Sequence, residues 1–475
     1  MSLARQIAYN TALQTGAKIT STLLAIVAFG LMARYLDRGG FGAYTTITAF
    51  LQFFGILVDM GLSVIAIQLI SEIGQDHKKN FDNIFTIRLL SAVVIYALAP
   101  IAVLFFPYPQ EIKIGVLVMA PSFFLSSLIQ ISTVVYQVRL SMIVPTCADI
   151  TSKLFLIGGI ALAARMDGGL VGVLAAILFN NALQWGILFF SSRAWALPRL
   201  SFDWYIWRLV YTRTWPIALS ILCNVVYLRA DTLILSLSKP QEDVGIYGAA
   251  FRVVEVLMTF PIMFIGLTLA SFARAWSSGD MPAFSRYFQK TFDFMALTAF
   301  PLIVGTLFTG AAVMVLVAGP SFFQSGTLLM MLIVATGAIF FGSLFGHLIN
   351  IINEQKKMLV GYFSVAVIAV VCYLVFIPSY GYWAAASITI ATETAVALIG
   401  FFIFYKKTRV IPRLGYAGKT LLASGVMGVF LYAFPNLHLA IKIVGGGLVY
   451  ISALYLVGAL TKEMIASLLP KEGQK

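Results

Sequence analysis

Residues 41–63 read FGAYTTITAFLQFFGILVDMGLS, and residues 10–36, just before them, read NTALQTGAKITSTLLAIVAFGLMARYL. Each stretch is long enough to cross a bilayer as a helix, which takes about 20 mostly apolar residues. Similar runs recur along all 475 residues, of which 60% are hydrophobic and 11% are charged. A soluble domain carries roughly 25% charged residues. The chain therefore has too little charge for a soluble surface, and the pattern predicts an all-α integral membrane protein.

Loops and charges divide the apolar runs into fourteen predicted transmembrane helices. They span residues 9–35, 41–70, 84–106, 112–138, 142–164, 168–192, 215–238, 244–274, 291–317, 324–352, 358–377, 382–405, 416–434 and 439–460. The first run continues past Leu31, which is too long for the apolar part of a cleavable signal peptide. We therefore expect it to remain as the first helix.

The basic residues fall mostly on one side of the predicted membrane. With the N-terminus inside, 22 of the 32 Lys and Arg residues, Arg88 among them, lie in cytoplasmic segments, while six lie opposite and four lie within helices. Cytoplasmic loops are enriched in Lys and Arg. The split predicts a multi-pass protein of the inner (plasma) membrane with both termini in the cytoplasm. The net charge of +13 thus reflects the basic cytoplasmic loops of a membrane protein, and nucleic acid is not a predicted partner.

Two short segments, 203 residues apart, repeat one pattern at the start of a long helix. Gly42-Ala43-Tyr44 opens the second predicted helix, and Gly245-Ile246-Tyr247 opens the eighth. An offset of six helices keeps both copies in the same orientation. Transporters are commonly built from two such repeats packed against each other, with the cargo path between them. The repeat therefore predicts a duplicated transporter.

The stretch from Ser191 to Trp215 divides the two copies, and its Arg and Trp residues are typical of a segment at the membrane interface. It leads to a predicted division of the chain into four parts. These are an N-terminal six-helix lobe at 1–192, a cytoplasmic connector at 193–214, a C-terminal six-helix lobe at 215–405, and two extra transmembrane helices with a cytoplasmic tail at 406–475.

Cysteine and histidine are sparse, with three of each, and none has the spacing of a metal site. We therefore expect no metal ion and no cofactor. The predicted outer loops, such as 106–111 and 317–324, are a few residues long and hold no pair of acids. A membrane glycosyltransferase or polymerase needs a larger outer domain with catalytic acids, Arg or His, so the chain is not predicted to be an enzyme.

Ionisable side chains inside the predicted helices are the candidate functional residues, because a charge in mid-membrane usually faces a cavity or a partner. At about 1.5 Å per residue, Arg229 and Arg252 both lie roughly 12–14 Å below the outer face. Arginine offers a planar fork to phosphate oxygens, and lysine offers a point charge. Four cations are predicted to bind an anionic cargo: Lys18, Lys153, Arg229 and Arg252.

Carboxylates near these cations support a second, structural interpretation. Asp149 and Lys153 are spaced i, i+4, and Arg252 and Glu255 are spaced i, i+3, so each couple can pair on one helix face. Asp59 is the candidate mate of Lys18. The buried acids are therefore predicted as charge partners or as ion-coupling sites: Asp59, Asp149, Asp231, Glu255 and Glu393.

Pro261 lies in the middle of the eighth predicted helix. A proline there removes a backbone hydrogen bond and kinks the helix, so Pro261 is a candidate hinge for alternating access.

The chain resembles the oligosaccharide-lipid flippases of the Wzx type, in the multidrug/oligosaccharidyl-lipid/polysaccharide exporter superfamily. The likeness is carried by the two stretches quoted above and by RADTLILSLSKPQEDVGIYGAAFRVVE at 229–255. It implies two six-helix lobes around a V-shaped cavity that opens alternately to each side, with an apolar groove for a lipid tail on the last two helices. The implied cargo is a polyprenyl-pyrophosphate-linked oligosaccharide, moved from the cytoplasmic to the outer leaflet for surface polysaccharide synthesis. Association with polysaccharide polymerase machinery is also implied.

Two relatives of the same fold remain as alternatives. A peptidoglycan lipid-precursor flippase has a similar basic cavity. A cation-coupled multidrug antiporter favours a buried acid in the first helix, where this chain has Lys18. That lysine argues against a cationic cargo.

Overall fold

The computed structural model describes residues 3–71, 76–138, 141–192 and 199–459, which are almost entirely helical and contain no β-strand. Two short 3-10 helices, Val103–Phe105 and Pro320–Phe322, stand beside the α-helices. The α-helices are α1 Leu3–Asp59, α2 Leu62–Ser71, α3 His77–Ala102, α4 Gln110–Val138, α5 Ile143–Arg165, α6 Gly169–Ser192, α7 Trp204–Ser238, α8 Gln241–Ser277, α9 Met281–Ala318, α10 Phe323–Ile351, α11 Gln355–Thr408, α12 Gly415–Ala433 and α13 Leu439–Leu456.

Two of these helices contain a sharp turn that divides each into two membrane helices. Asp37 in α1 has φ 52° and ψ −171°, and Gly381 in α11 has φ 58° and ψ −139°. In the described part of the chain, eleven helices are long and apolar enough to cross a membrane, and α1 and α11 are among them. Counted as two arms each, and together with α12, they make fourteen helices. The predicted helix number and the all-α membrane fold are confirmed.

The second predicted helix, 41–70, is broken near its end. α1 ends at Asp59, Met60 and Gly61 have φ of 39° and 77°, and α2 begins at Leu62. The Asp59 carboxylate accepts hydrogen bonds from the Gly61 N–H at 3.3 Å and from the Ser63 hydroxyl at 2.9 Å, so it stabilises the turn between α1 and α2. The prediction of one continuous helix was wrong here, because the run stays apolar across the break and hydropathy does not show it.

The described residues form two compact units. The first includes those within Met1–Gly248, Val317–Ser321 and Ala366–Ala385, and the second includes those within Ala249–Leu316, Phe322–Val365 and Ala386–Lys475. The predicted division into lobes, connector and extra helices at 192, 214 and 405 stays a prediction.

Each unit has its own apolar core. In the first, Ile47 and Phe50 of α1 pack with Val116 of α4 in one buried cluster. In the second, Phe288 of α9 stacks on Phe404 of α11, with ring centroids 4.8 Å apart. Within the membrane such packing is held by van der Waals contact rather than by release of water.

In the second unit, the last two helices pack on α9. The Tyr450 hydroxyl of α13 donates to the Leu297 carbonyl at 2.8 Å. A Cβ on Gly428 of α12 would lie 2.9 Å from the Val304 side chain, so α12 comes close to α9 at this glycine.

Candidate functional site

The first cluster of predicted site residues joins α1 to α5 in the first unit. The Lys153 Nζ lies 3.1 Å from the Asp149 Oδ2, which is the ion pair that the i, i+4 spacing predicts. The Ser21 hydroxyl of α1 donates to the Asp149 carboxylate and accepts from the Lys153 ammonium. The side chains of Lys153 and Asp149 are 21% and 29% exposed. The cluster is thus polar and partly open, and Ser21 is a member that the sequence did not indicate.

Lys18 is a further cation near this cluster, on the face of α1 that carries Ser21. It is exposed and lies three residues before Ser21, and residues three apart share a helix face. A lysine ammonium is a donor that suits an anion such as phosphate. Asp59, the suggested mate of Lys18, pairs with Arg88 instead.

In the second unit, Arg252 and Glu255 pair across one turn of α8. The Arg252 Nη1 donates to the Glu255 Oε2 at 2.8 Å, as their i, i+3 spacing predicts. The Arg252 side chain is 47% exposed and the Glu255 side chain is 22% exposed. The guanidinium is therefore reachable from outside the protein while it is paired.

Asp231 of α7 is fully buried, and Arg229, two residues earlier, is partly buried. The Asp231 carboxylate accepts from the Tyr247 hydroxyl and from the Thr232 hydroxyl, the latter at 3.1 Å. Tyr247 is the tyrosine of the second Gly-x-Tyr segment. Arg229 lies in the first unit and Arg252 in the second, so their common depth in the membrane stays a prediction.

Arg88 does not lie in a cytoplasmic segment, and its assignment to one was wrong. α3 begins at His77, and Arg88 lies about three turns inside it with a side chain that is 1% exposed. The Arg88 guanidinium donates to the Asp59 carboxylate, to the Ser127 hydroxyl at 2.7 Å and to the Gln130 side-chain oxygen at 2.9 Å. Arg88 was counted with the cytoplasmic segments because it lies near the predicted helix start at 84, whereas α3 begins seven residues earlier and is buried from Asn80 through Arg88.

Glu393 and Pro261 are both buried in the second unit. Glu393 of α11 is 5% exposed, and Pro261 lies inside α8. Their roles in ion coupling and as a hinge stay predictions.

The two Gly-x-Tyr segments contact each other within the first unit. A Cβ on Gly42 would lie 1.7 Å from the Gln241 carbonyl oxygen, and a Cβ on Gly245 would lie 2.0 Å from the Arg38 carbonyl oxygen. The Thr46 hydroxyl donates to the Gln241 side-chain oxygen at 2.8 Å. The second arm of α1 and the start of α8 therefore meet backbone to backbone, and only glycine leaves room for this approach.

The described part of the predicted connector, residues 199–214, is bound to α3 at its start, whereas residues 193–198 lie outside the described residues. The Asn83 side chain of α3 is fully buried. It accepts from the Asp203 N–H at 2.8 Å and from the Trp207 indole at 3.1 Å, and it donates to the Ser201 hydroxyl at 3.0 Å. One side chain of the N-terminal half thus fixes the chain that leads into α7.

An ion pair at the first turn of α3 strengthens this attachment. The Lys79 Nζ lies 2.5 Å from the Asp203 Oδ2. Their hydrogen bond lowers the pKa of Asp203 below its ordinary value. Beside the pair, Trp204 and Tyr205 are exposed, as expected of aromatic residues at a membrane interface.

We expect Asn83→Ala to lower the free energy of unfolding by about 2–3 kcal/mol, because it removes four hydrogen bonds, the fourth to the Lys79 carbonyl, and leaves partly buried donors unpaired. The measurement is reversible unfolding in detergent micelles. Thr212→Ala is the control, since the exposed Thr212 hydroxyl bonds only to carbonyls of its own helix among the contacts described. An Asn83→Ala variant as stable as the Thr212→Ala variant would show that the connector is not held by Asn83.

A cavity of about 510 Å³ lies between α3 and α4, apart from the cationic clusters. It is lined by Ala92, Val93, Tyr96, Ala97, Pro100, Ile101, Leu117, Ala120, Pro121 and Phe124. An apolar cavity of this kind suits hydrocarbon and gives no ligand to a phosphate. It is therefore not part of the candidate anion site.

Comparison with known proteins places the chain by family and by fold. A family model described as "Polysaccharide biosynthesis protein" matches residues 31–327. No match was found among curated proteins.

Among solved structures, "Lipid II flippase MurJ, inward closed conformation" has a TM-score of 0.78 at 14% identity, over 94% of this chain and 98% of that one. An inward-facing multidrug resistance MATE transporter has a TM-score of 0.70 at 13% identity, over 82% and 94%. A transporter from Pyrococcus furiosus has a TM-score of 0.54 at 13% identity, over 86% and 94%. These likenesses show that the chain has the fold of these flippase and transporter structures.

Proposed function

Because this chain belongs to the family of polysaccharide biosynthesis proteins, we propose that it is a flippase for a lipid-linked oligosaccharide. The cargo is a polyprenyl-pyrophosphate-linked repeat unit, moved from the cytoplasmic to the outer leaflet of the inner (plasma) membrane by alternating access. Both termini lie in the cytoplasm, and the product passes to polysaccharide polymerase machinery. The observation that carries the proposal is the partly open cluster of Ser21, Asp149 and Lys153, with Lys18 on the same face of α1 as Ser21, inside a membrane protein of this family.

The exposed fraction of the side chain distinguishes the cations proposed to bind the cargo from those that stabilise the fold. Arg88 is 1% exposed and is surrounded by acceptors from α1 and α4, as expected of a structural ion pair. Lys153 and Arg252 are 21% and 47% exposed, although each has a carboxylate beside it. A pyrophosphate in transit must replace its water with cationic donors, because hydrocarbon excludes ions. The exposed cations are positioned for that exchange.

Alternating access requires that the path be closed at one end while it is open at the other. The contact of Gly42 with the Gln241 carbonyl supports a closed end where α1 turns at Asp37. We assign this end to the outer face, in keeping with the proposed cytoplasmic termini. The outer gate then consists of the second arm of α1 and the start of α8.

A peptidoglycan lipid-precursor flippase is the second candidate. It is favoured by the likeness over 94% of this chain to the structure named as a lipid II flippase. Native mass spectrometry of the purified protein distinguishes the two, because a copurified polyprenyl lipid bears either a repeat-unit oligosaccharide or a muropeptide. A cationic antiporter is disfavoured, because Lys18 occupies the first helix.

We expect Lys153→Gln and Arg252→Gln each to lower the flipping rate about tenfold or more, since each removes a charge-assisted hydrogen bond to the phosphate. The assay is translocation of a fluorescent polyprenyl-pyrophosphate oligosaccharide in proteoliposomes. Lys357→Gln is the matched control, because Lys357 pairs with Glu354 at 2.8 Å and i, i+3 spacing, as Arg252 pairs with Glu255, but in the first turn of α11. Unchanged flipping in both site variants would rule out the anionic cargo site.

A further inference from the structure

The Asp149 carboxylate is bound by the Ser21 hydroxyl and, at 3.1 Å, by Lys153, the lysine that the proposed function assigns to the cargo. A carboxylate and a phosphate present the same kind of oxygen acceptors to such donors. The donors that the proposed function assigns to phosphate are therefore already bound to an anion that belongs to the protein.

Exposure indicates that this anion can be exchanged. The side chains of Lys153 and Asp149 are 21% and 29% exposed, and partly exposed ion pairs contribute little to stability. The Asp59–Arg88 pair differs, because Arg88 is 1% exposed and also donates to Ser127. The Asp149–Lys153 pair is therefore suited to giving way to another anion, whereas the Asp59–Arg88 pair is suited to a lasting structural contact.

The second unit repeats the arrangement. Arg252 pairs with Glu255 at 2.8 Å, and their side chains are 47% and 22% exposed. In both units the carboxylate is on the same helix as its cation, three or four residues away, so it stays within reach when the cation binds something else.

We propose that Asp149 and Glu255 are resident counter-ions: each holds its cation between transport cycles, is displaced by the phosphate of the cargo, and takes the cation back to release it. The proposal rests on the proposed anionic cargo and adds the regulation of its site. Without the counter-ion the cation binds phosphate more tightly and releases it more slowly, so affinity rises while turnover falls. A carboxylate that only held two helices together would show neither effect.

The test measures the binding of inorganic pyrophosphate to the full chain in nanodiscs by calorimetry. We expect Asp149→Asn to tighten the Kd about two- to fivefold, which is the range for removing a competing, partly exposed ion pair. Glu354→Gln is the matched control, because it also removes a carboxylate paired with a lysine, at Lys357, but away from the proposed site, and its Kd stays near that of the parent protein. In the Asp149→Asn/Lys153→Gln double variant the increase in affinity is lost, because Asp149 acts through Lys153.

The outcomes separate this proposal from the proposed function. If Lys153→Gln weakens binding but Asp149→Asn leaves it equal or weaker, the anion site stands and the counter-ion role is overturned. If the parent protein and all variants fail to bind pyrophosphate, the anionic site and the counter-ion role fail together. If Asp149→Asn does not fold, Glu255→Gln applies the same test at Arg252, and an unchanged or weaker Kd there overturns the proposal.

Discussion

Gly245→Ala is expected to lower the flipping rate at least about tenfold. The added methyl group would lie 2.0 Å from the Arg38 carbonyl oxygen and 3.1 Å from the Gly42 nitrogen. Both are backbone atoms, which do not rotate away as a side chain does. The second arm of α1 and the start of α8 would have to separate, so the state with this end closed would become rare.

Gly39→Ala is the matched control, because its methyl group would lie 3.6 Å from the Glu242 side chain, an ordinary contact. Flipping is measured in proteoliposomes, and closure is measured by labelling a cysteine placed at Thr45 in a background without the native cysteines. We expect faster labelling from the outer side in the Gly245→Ala background and unchanged labelling in the Gly39→Ala background. Parent-like flipping by Gly245→Ala would show that this contact is not needed in the cycle.

Arg88→Gln is expected to lower the free energy of unfolding by about 3–5 kcal/mol, the usual loss when one partner of a buried ion pair is removed. Arg88 links Asp59 at the break between α1 and α2 to Ser127 and Gln130 of α4. Its removal leaves the Asp59 carboxylate uncompensated inside the membrane. The measurement is unfolding by denaturant in micelles.

The Asp59→Asn/Arg88→Gln double variant is expected to recover a large part of the lost stability, because no uncompensated charge remains. Arg252→Gln provides the contrast, since its partly exposed pair contributes at most about 1 kcal/mol. Equal losses from Arg88→Gln and Arg252→Gln would contradict the division between structural and exchangeable pairs.

The features that depend only on residues close together in the sequence could be predicted from the sequence. The apolar runs predict fourteen helices because a span needs a fixed length of apolar residues, and the structure has that number. The pairs Asp149–Lys153 and Arg252–Glu255 were predicted because helical geometry brings residues three or four apart together. These results need only local geometry and the thickness of a bilayer.

The remaining features of the site depend on which helices are neighbours. Ser21 reaches Asp149 across 128 residues of sequence, and Gly42 touches Gly245 because two helix ends converge. Arg88 binds Asp59 because α3 packs on the end of α1. Arg88 was predicted to be a cytoplasmic cation, but it is a buried residue that stabilises the fold. The sequence by itself thus determined the membrane class, the helices and the local ion pairs, since these follow from hydropathy and helical spacing. The tertiary structure alone decided which charges are exposed and which are buried, because burial depends on the atoms that other helices bring.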